Sequence, residues 1–175
     1  MAQDIKKIIA QEYLKCAKDP AYFMKKYCYI QHPTRGRILF SLYPFQSEVL
    51  HLFKDNQFII TLKSRQLGIS TLAAAYSLWL MLFHKDKNVL ALATTQATAR
   101  NLVSKTMFMY DQLPKWLKLP AKEKNKLSLR LKNGSKITAK SSNADAARSE
   151  AVSLLLIDEA AFIDNIDETF TAAQQ

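Results

Sequence analysis

Cysteine, histidine and long apolar runs are all scarce in this 175-residue chain, and each shortage removes a class of protein. Two cysteines, Cys16 and Cys28, are too few for a disulfide framework or a zinc site. They read as reduced thiols, as expected of a cytosolic protein. His32, His51 and His84 fall in no metal-ligand spacing. The opening Met1-Ala2-Gln3-Asp4-Ile5-Lys6-Lys7 has no apolar core of the kind a secretory leader needs. The longest apolar stretch, Leu72 to Phe83, is too short to span a bilayer. No repeat or low-complexity segment is present.

What is there is about one domain's length of chain, 49% apolar, which is enough for a real core. Acid is the minority charge, with 15 Asp and Glu against 25 Lys and Arg, a net charge of +10. That balance favours polyanions such as DNA or RNA, or acidic partners. Lysines cluster from Lys115 to Lys140, with Trp116 among them. Such a segment faces DNA or a neighbouring subunit, or is simply a solvated surface.

The local pattern is mixed. Ile5, Ile8, Ile9 and Leu14 share a helical face. Asp19-Pro20 ends that helix and opens a second, expected to run to about Tyr29. His32-Pro33-Thr34-Arg35-Gly36 reads as a turn and Arg37 to Leu42 as a short strand. Pro44 opens a helix to about Lys54. Asn88 to Ala93 reads as a strand, and Thr94-Thr95 caps a helix that Pro114 stops. Leu127 to Leu131 and Lys136 to Lys140 flank Asn133-Gly134, a strong hairpin signal.

Two short runs carry chemistry. Lys63-Ser64-Arg65-Gln66-Leu67-Gly68-Ile69-Ser70-Thr71 follows Phe58-Ile59-Ile60-Thr61-Leu62, a run of strand formers, and precedes the apolar helix from Leu72. Strand, loop and helix in that order are what a phosphate-binding loop requires. Its backbone N–H groups wrap phosphates, and the helix N-terminus adds a favourable dipole. Gly68 is the second glycine of such a loop, and Ser70 stands where a hydroxyl ligates magnesium. The lysine usually found before that hydroxyl is absent. Ile69 occupies its place, and Lys63 stands at the first glycine position. A lysine there can carry its ammonium back over the phosphates on a long, flexible stem. By itself the loop supports two readings: a working loop with Lys63 as the substitute charge, or an inactive one with Lys63 solvated at a strand end.

The second run favours the working loop. Ser153 to Ile157 is continuously apolar, as a parallel strand buried on both faces should be. It ends in Asp158-Glu159. Ligands of open α/β sheets bind beyond the carboxyl ends of the strands. Asp158 there can hold magnesium, and Glu159 can orient or deprotonate an attacking water. A solvated acidic pair is the plain alternative.

Together the runs resemble the N-terminal ATPase region of the large terminase subunits of tailed bacteriophages, the DNA-packaging motors. Ser64-Arg65-Gln66-Leu67-Gly68 is similar to the phosphate loop of the myovirus-like members, some of which also carry a displaced lysine at the loop's start. Leu156-Ile157-Asp158-Glu159-Ala160-Ala161-Phe162 is similar to their acidic strand, and Asp19-Pro20-Ala21-Tyr22-Phe23 to a segment near their start. Tyr43-Pro44-Phe45-Gln46 resembles their adenine motif, which implies that Gln46 reads the adenine edge through its amide. The resemblance further implies Arg65 as a finger acting in cis, and Arg148 as one reaching a neighbouring subunit's nucleotide.

On fold, the resemblance implies an α/β P-loop NTPase of the ASCE, RecA-like kind, with a mostly parallel sheet flanked by helices. Residues 1–42 would be a helical lead-in and 43–175 a partial ATPase domain. A further strand, expected between Phe58–Leu62 and Ser153–Ile157, and a nuclease domain are missing, so the chain reads as a fragment. The implied cofactors are ATP and Mg2+. The implied partners are double-stranded DNA, the portal protein, the small terminase subunit and, at full length, further copies in a ring, in the host cytoplasm during phage assembly. Two other functions stay open. A helicase-type DNA-dependent ATPase uses similar motifs but normally keeps its lysine beside the hydroxyl. A degenerate domain would bind nucleotide or DNA without turnover.

Overall fold

The computed structural model describes residues 2–142 and 151–173. Two helices open the chain, α1 (Ala2–Lys18) and α2 (Pro20–Tyr27). Asp19 separates them for a local reason. Its backbone is extended and its carboxylate accepts from the N–H groups of Ala21 and Tyr22 at 2.8 and 3.1 Å, while Pro20 occupies the first turn, where no N–H is needed. α2 ends at Tyr27, two residues short of expectation. Tyr29 instead opens β1 (Tyr29–His32), which pairs antiparallel with β2 (Gly36–Leu39). The strand expected over 37–42 is thus half of a small hairpin. Its turn is held by His32 Nδ1, which accepts from the N–H groups of Thr34 and Arg35.

Next come α3 (Pro44–Asp55), α4 (Ile69–Phe83), β3 (Asn88–Ala93) and α5 (Gln96–Asp111), the last capped by the Thr95 hydroxyl. β4 (Ala121–Lys124), β5 (Ser128–Leu131), β6 (Lys136–Ser141) and β7 (Leu154–Ile157) follow, then a 3₁₀ turn (Ala160–Phe162) and α6 (Ile166–Ala173).

The five-stranded sheet runs β4-β5-β6-β3-β7. β3 is parallel to both β6 and β7, but β4–β5 and β5–β6 are antiparallel, so the sheet is mixed where a mostly parallel one was expected. The Asn133-Gly134 turn is the cause, since a tight hairpin can join only antiparallel strands. β7 is also less enclosed than expected: all four of its residues are only partly buried. It pairs with β3 on one edge. Phe58–Leu62, expected as a strand, joins no sheet among the described residues, and the side chains of Ile60 and Leu62 are fully exposed. Apolar sequence alone does not make a strand; a backbone partner does.

α4 is the spine of the core. Leu72, Leu78 and Met81 are completely buried, as are Phe23 and Met24 of α2 and Cys16 and Cys28 on either side of it. Each large apolar side chain so enclosed contributes about 1.5–3 kcal/mol. The residues of the lead-in therefore share one core with α4 and β3. The Trp79 indole N–H donates to the Cys16 carbonyl at 2.9 Å, tying α1 to the spine. Glu12 Oε1 accepts from Lys26, Tyr22 and Tyr27, which bolts α1 to α2. Hydrogen bonds from Lys26 and then Tyr22 hold that carboxyl down at about 2.

The C-terminal end of α4 is clamped by the β5–β6 turn. Asn133 Nδ2 donates to the carbonyls of Met81 (2.8 Å) and His84 (3.0 Å), and Ser135 Oγ to that of His84 (2.8 Å). These are carbonyls a helix leaves without intrahelical partners.

Candidate phosphate and metal site

The opposite end of α4 is the candidate site. Gly68 caps α4 at φ +72°, a conformation open to glycine and strained for most other residues. Its carbonyl accepts from the Leu72 N–H, so helical bonding begins immediately. The N–H groups of Ile69, Ser70 and Thr71 are then first-turn donors at the positive end of the helix dipole. Gln66 is a second left-handed residue, at φ +66°. Lys63 through Leu67 are all exposed, so Lys63 and Arg65 stand in solvent. Ile69, at the position a lysine usually holds, is only 8% exposed: its side chain belongs to the core. Thr71 is partly buried and Ser64 exposed.

The acidic strand meets the loop directly. Ser70 Oγ donates to Asp158 Oδ2 at 3.0 Å, across 88 residues of sequence. Asp158 is placed by the sheet, because its N–H donates to the Leu92 carbonyl at 3.0 Å and extends the β3–β7 ladder by one rung. Glu159 then turns sharply at φ 56°, ψ 40°, and leaves the strand exposed to solvent. Holding a non-glycine residue there costs about 1–2 kcal/mol. A strained residue beside a polar pair is a mark of functional sites.

The donor chemistry fits magnesium. A hydroxyl and a carboxylate are hard oxygen ligands, and magnesium characteristically takes one or two protein oxygens and completes its octahedron with phosphate and water. Among the described residues no cluster of three or more His, Cys, Asp or Glu could hold a metal alone. Ser70 and Asp158 would therefore share the ion with a phosphate ligand.

Gln46 lies at the same loop. It is 1% exposed; its Oε1 accepts from the Tyr43 N–H at 3.0 Å and its Nε2 donates to the Leu67 carbonyl at 2.9 Å. The Leu67 contact spans 21 residues, and no sequence signal pointed to it. Tyr43 and Phe45 stack at 5.7 Å beside it, with Tyr43 63% exposed. Arg148 lies outside the described residues. Lys124 and Lys126 join Arg100 of α5 around an open groove of about 680 Å³ floored by Met107 and Phe108, and Lys124 is paired with Asp111 at 2.6 Å.

Comparison with known proteins follows the same lines. The family described as terminase large subunit, T4likevirus-type, N-terminal, matches residues 60–175. The crystal structure of the HK97 bacteriophage large terminase superposes with a TM-score of 0.70 at 18% identity. It covers 90% of this chain, which spans 35% of that one, and at this identity the likeness concerns the fold.

Proposed function

This chain belongs to the T4-like large terminase subunits, in their N-terminal part, and on that premise we propose that it is the ATPase region of a DNA-packaging motor. The observation that carries the proposal is the Ser70–Asp158 hydrogen bond. It joins a helix N-terminus suited to phosphates with a carboxylate suited to magnesium, the two halves a nucleoside triphosphate needs.

In this reading the first-turn N–H groups of α4 and the loop backbone hold the β- and γ-phosphates. Lys63 supplies the mobile positive charge that Ile69 cannot, and Arg65 meets the charge that builds on the γ-phosphate. Ser70 and Asp158 would hold Mg2+, which when bound would offset phosphate charge. Glu159, turned out of the strand, accepts a proton from the attacking water or orients it. Arg148 acts on the nucleotide of a neighbouring copy in a ring. The released energy drives double-stranded DNA into a procapsid through the portal protein, with the small terminase subunit as a further partner.

The test is ATP turnover with Mg2+, with and without double-stranded DNA, by this chain and by a protein carrying it at full length. DNA-stimulated hydrolysis that disappears in Glu159→Gln supports the proposal. Magnesium-independent nucleotide binding, or turnover untouched by Glu159→Gln, rejects the assignment of this site.

A further inference from the structure

We infer that the groove between α5 and the β4 edge is a docking surface for a second copy of this chain, whose acidic segment after β7 it takes head to tail. This contact deepens the neighbouring-copy action proposed above and rests on that reading for its setting, though not for its geometry.

Arg100, Met107, Phe108 and Asp111 share one face of α5, and Lys124 and Lys126 form the opposite wall of the groove. Met107 and Phe108 are half-buried and make an apolar floor, while the cations on either side are exposed. The acids nearby are already engaged. Both oxygens of Asp111 accept from Lys124, at 2.7 and 2.6 Å, and Glu123 accepts from Asn125 and Ser128. Arg100 and Lys126 have no acidic partner among the described residues. An apolar floor between two unpaired cations calls for an occupant that carries carboxylates around an apolar side chain. A DNA duplex meets only half of that demand: its backbone brings phosphates but no apolar side chain, and Asp111 repels them.

The chain itself carries such a segment. From Asp158 to Ala173 it holds Asp158, Glu159, Asp164, Asp167 and Glu168 and no lysine or arginine, in a protein of net charge +10. Asp164, Asp167 and Glu168 are exposed and form no ion pair among the described residues, and Phe162 beside them is 70% exposed. Topology keeps groove and segment apart within one molecule. The sheet runs β4-β5-β6-β3-β7, so the groove lies at one edge and the acidic segment leaves from the other. Four strand spacings put roughly 19 Å of sheet between those edges. Phe170 of α6 is also packed on Phe58, at 5.6 Å, ahead of the phosphate loop. The segment therefore meets the groove only in another copy. Two different surfaces at opposite edges make a heterologous contact, which repeats from copy to copy and leads to a ring or a filament. The charges select that orientation, because packing like edge on like edge would set like charges together.

The experiment is sedimentation equilibrium of the wild-type protein over a range of concentrations, without nucleotide or DNA, with binding of a labelled DNA duplex measured alongside. The wild type should associate with a Kd of about 10–100 μM, as small polar interfaces do, and its mass should grow past that of a dimer. Raising the salt to about 0.5 M should weaken association. Arg100→Glu with Lys126→Glu, and separately Asp167→Lys with Glu168→Lys, should each weaken it by about 100-fold or more. All four residues are exposed, so each variant should stay folded, which its melting temperature checks. Mixing the two reversed proteins, or combining the four substitutions in one, should restore association. Phe162→Ser removes the apolar anchor and should weaken it about tenfold. If the α6 reversal does not fold, the groove reversal and Phe162→Ser decide the matter. A wild type that stays monomeric at about 1 mM overturns the inference. So does a mass that stops at the dimer, or a mixture of folded reversed proteins that fails to associate. Groove reversal that spares self-association but abolishes binding of the duplex gives the groove to DNA and overturns it as well. None of these results touches the proposed ATPase, whose failure is read separately as absent Mg2+-dependent turnover.

Discussion

The two ends of α4 are held in opposite ways. At the C-terminal end, Asn133 and Ser135 supply donors to the carbonyls of Met81 and His84, and the turn that carries them is built into the sheet. At the N-terminal end, the first-turn donors face a loop whose residues from Lys63 to Leu67 are exposed. Among the described side chains, Ser70 reaches across from there to the acidic strand. A helix must satisfy its terminal groups from somewhere. Where the protein does so itself, the end is structural. Where it leaves them toward solvent beside a carboxylate, they are available to a ligand. The contrast predicts that substitutions at one end cost stability and at the other cost chemistry.

The largest expected effects lie at the open end. Lys63→Ala and Glu159→Gln should each lower ATP turnover by about 100-fold or more in a full-length protein, while Ile69→Ala leaves the loop's charge in place. Because Lys63 and Glu159 are exposed, thermal unfolding should hardly change. A melting temperature that falls together with turnover would erase the distinction between the two ends.

The clamped end should behave in reverse. Asn133→Ala leaves the Met81 carbonyl without its side-chain donor and the His84 carbonyl with Ser135 alone, and should cost about 1–3 kcal/mol, read as a lower melting temperature or urea midpoint. Nucleotide affinity should stay within about twofold at temperatures where the variant is folded. A large loss of affinity there would mean that the clamp reaches the loop through α4.

Ser70→Ala sharpens the comparison at one atom. It removes the hydroxyl that meets Asp158 and should weaken magnesium-dependent binding by about tenfold. The effect should vanish when binding is measured in EDTA; a loss of the same size without magnesium would assign the hydroxyl a purely structural role.

The smallest effect concerns a region remote from both ends. Glu12 is held at about 2 in the folded chain by hydrogen bonds from Lys26 and Tyr22, against an ordinary 4.5. A depressed carboxyl stabilises the fold fully above its unfolded value and loses that contribution as pH falls from about 4.5 toward 2. Glu12→Gln should therefore flatten the acid limb of a stability–pH curve while leaving the difference near neutral pH modest, since Lys26 is half exposed and its pairing is screened by solvent. An acid limb unchanged by the substitution would show that other carboxylates govern acid unfolding.

Legibility in the sequence followed the range of the interaction. The helix starts at Asp19-Pro20, Pro44 and Thr95 were readable because a cap and its donors lie within three residues. The Asn133-Gly134 hairpin was readable for the same reason. The strand expected at Phe58–Leu62 did not form as one, because its composition says nothing about whether a neighbour is present. β4, with the charged sequence Ala121–Lys124, was not foreseen: it is a fully exposed edge strand, and edges carry charge rather than an apolar pattern. The glycine that caps α4 and the apolar strand before Asp158-Glu159 were both legible, but the meeting of Ser70 with Asp158 spans 88 residues and is made by packing.

By itself the sequence determined the inventory: a glycine where the helix must be capped left-handed, a hydroxyl two residues on, an apolar strand ending in Asp158-Glu159, and a lysine, Lys63, five residues before that glycine. These follow from conformational preferences and chemistry that act within a few residues. The tertiary structure alone decided which of these groups face one another. Parallel pairing of β7 with β3 carries Asp158 to the Ser70 hydroxyl. Burial of α3 against α4 turns the Gln46 amide inward onto Leu67 and Gly68. Burial of Ile69 commits the usual lysine position to the core. Each outcome depends on contacts between segments far apart in the chain, whose free energy is collected only when the whole core closes.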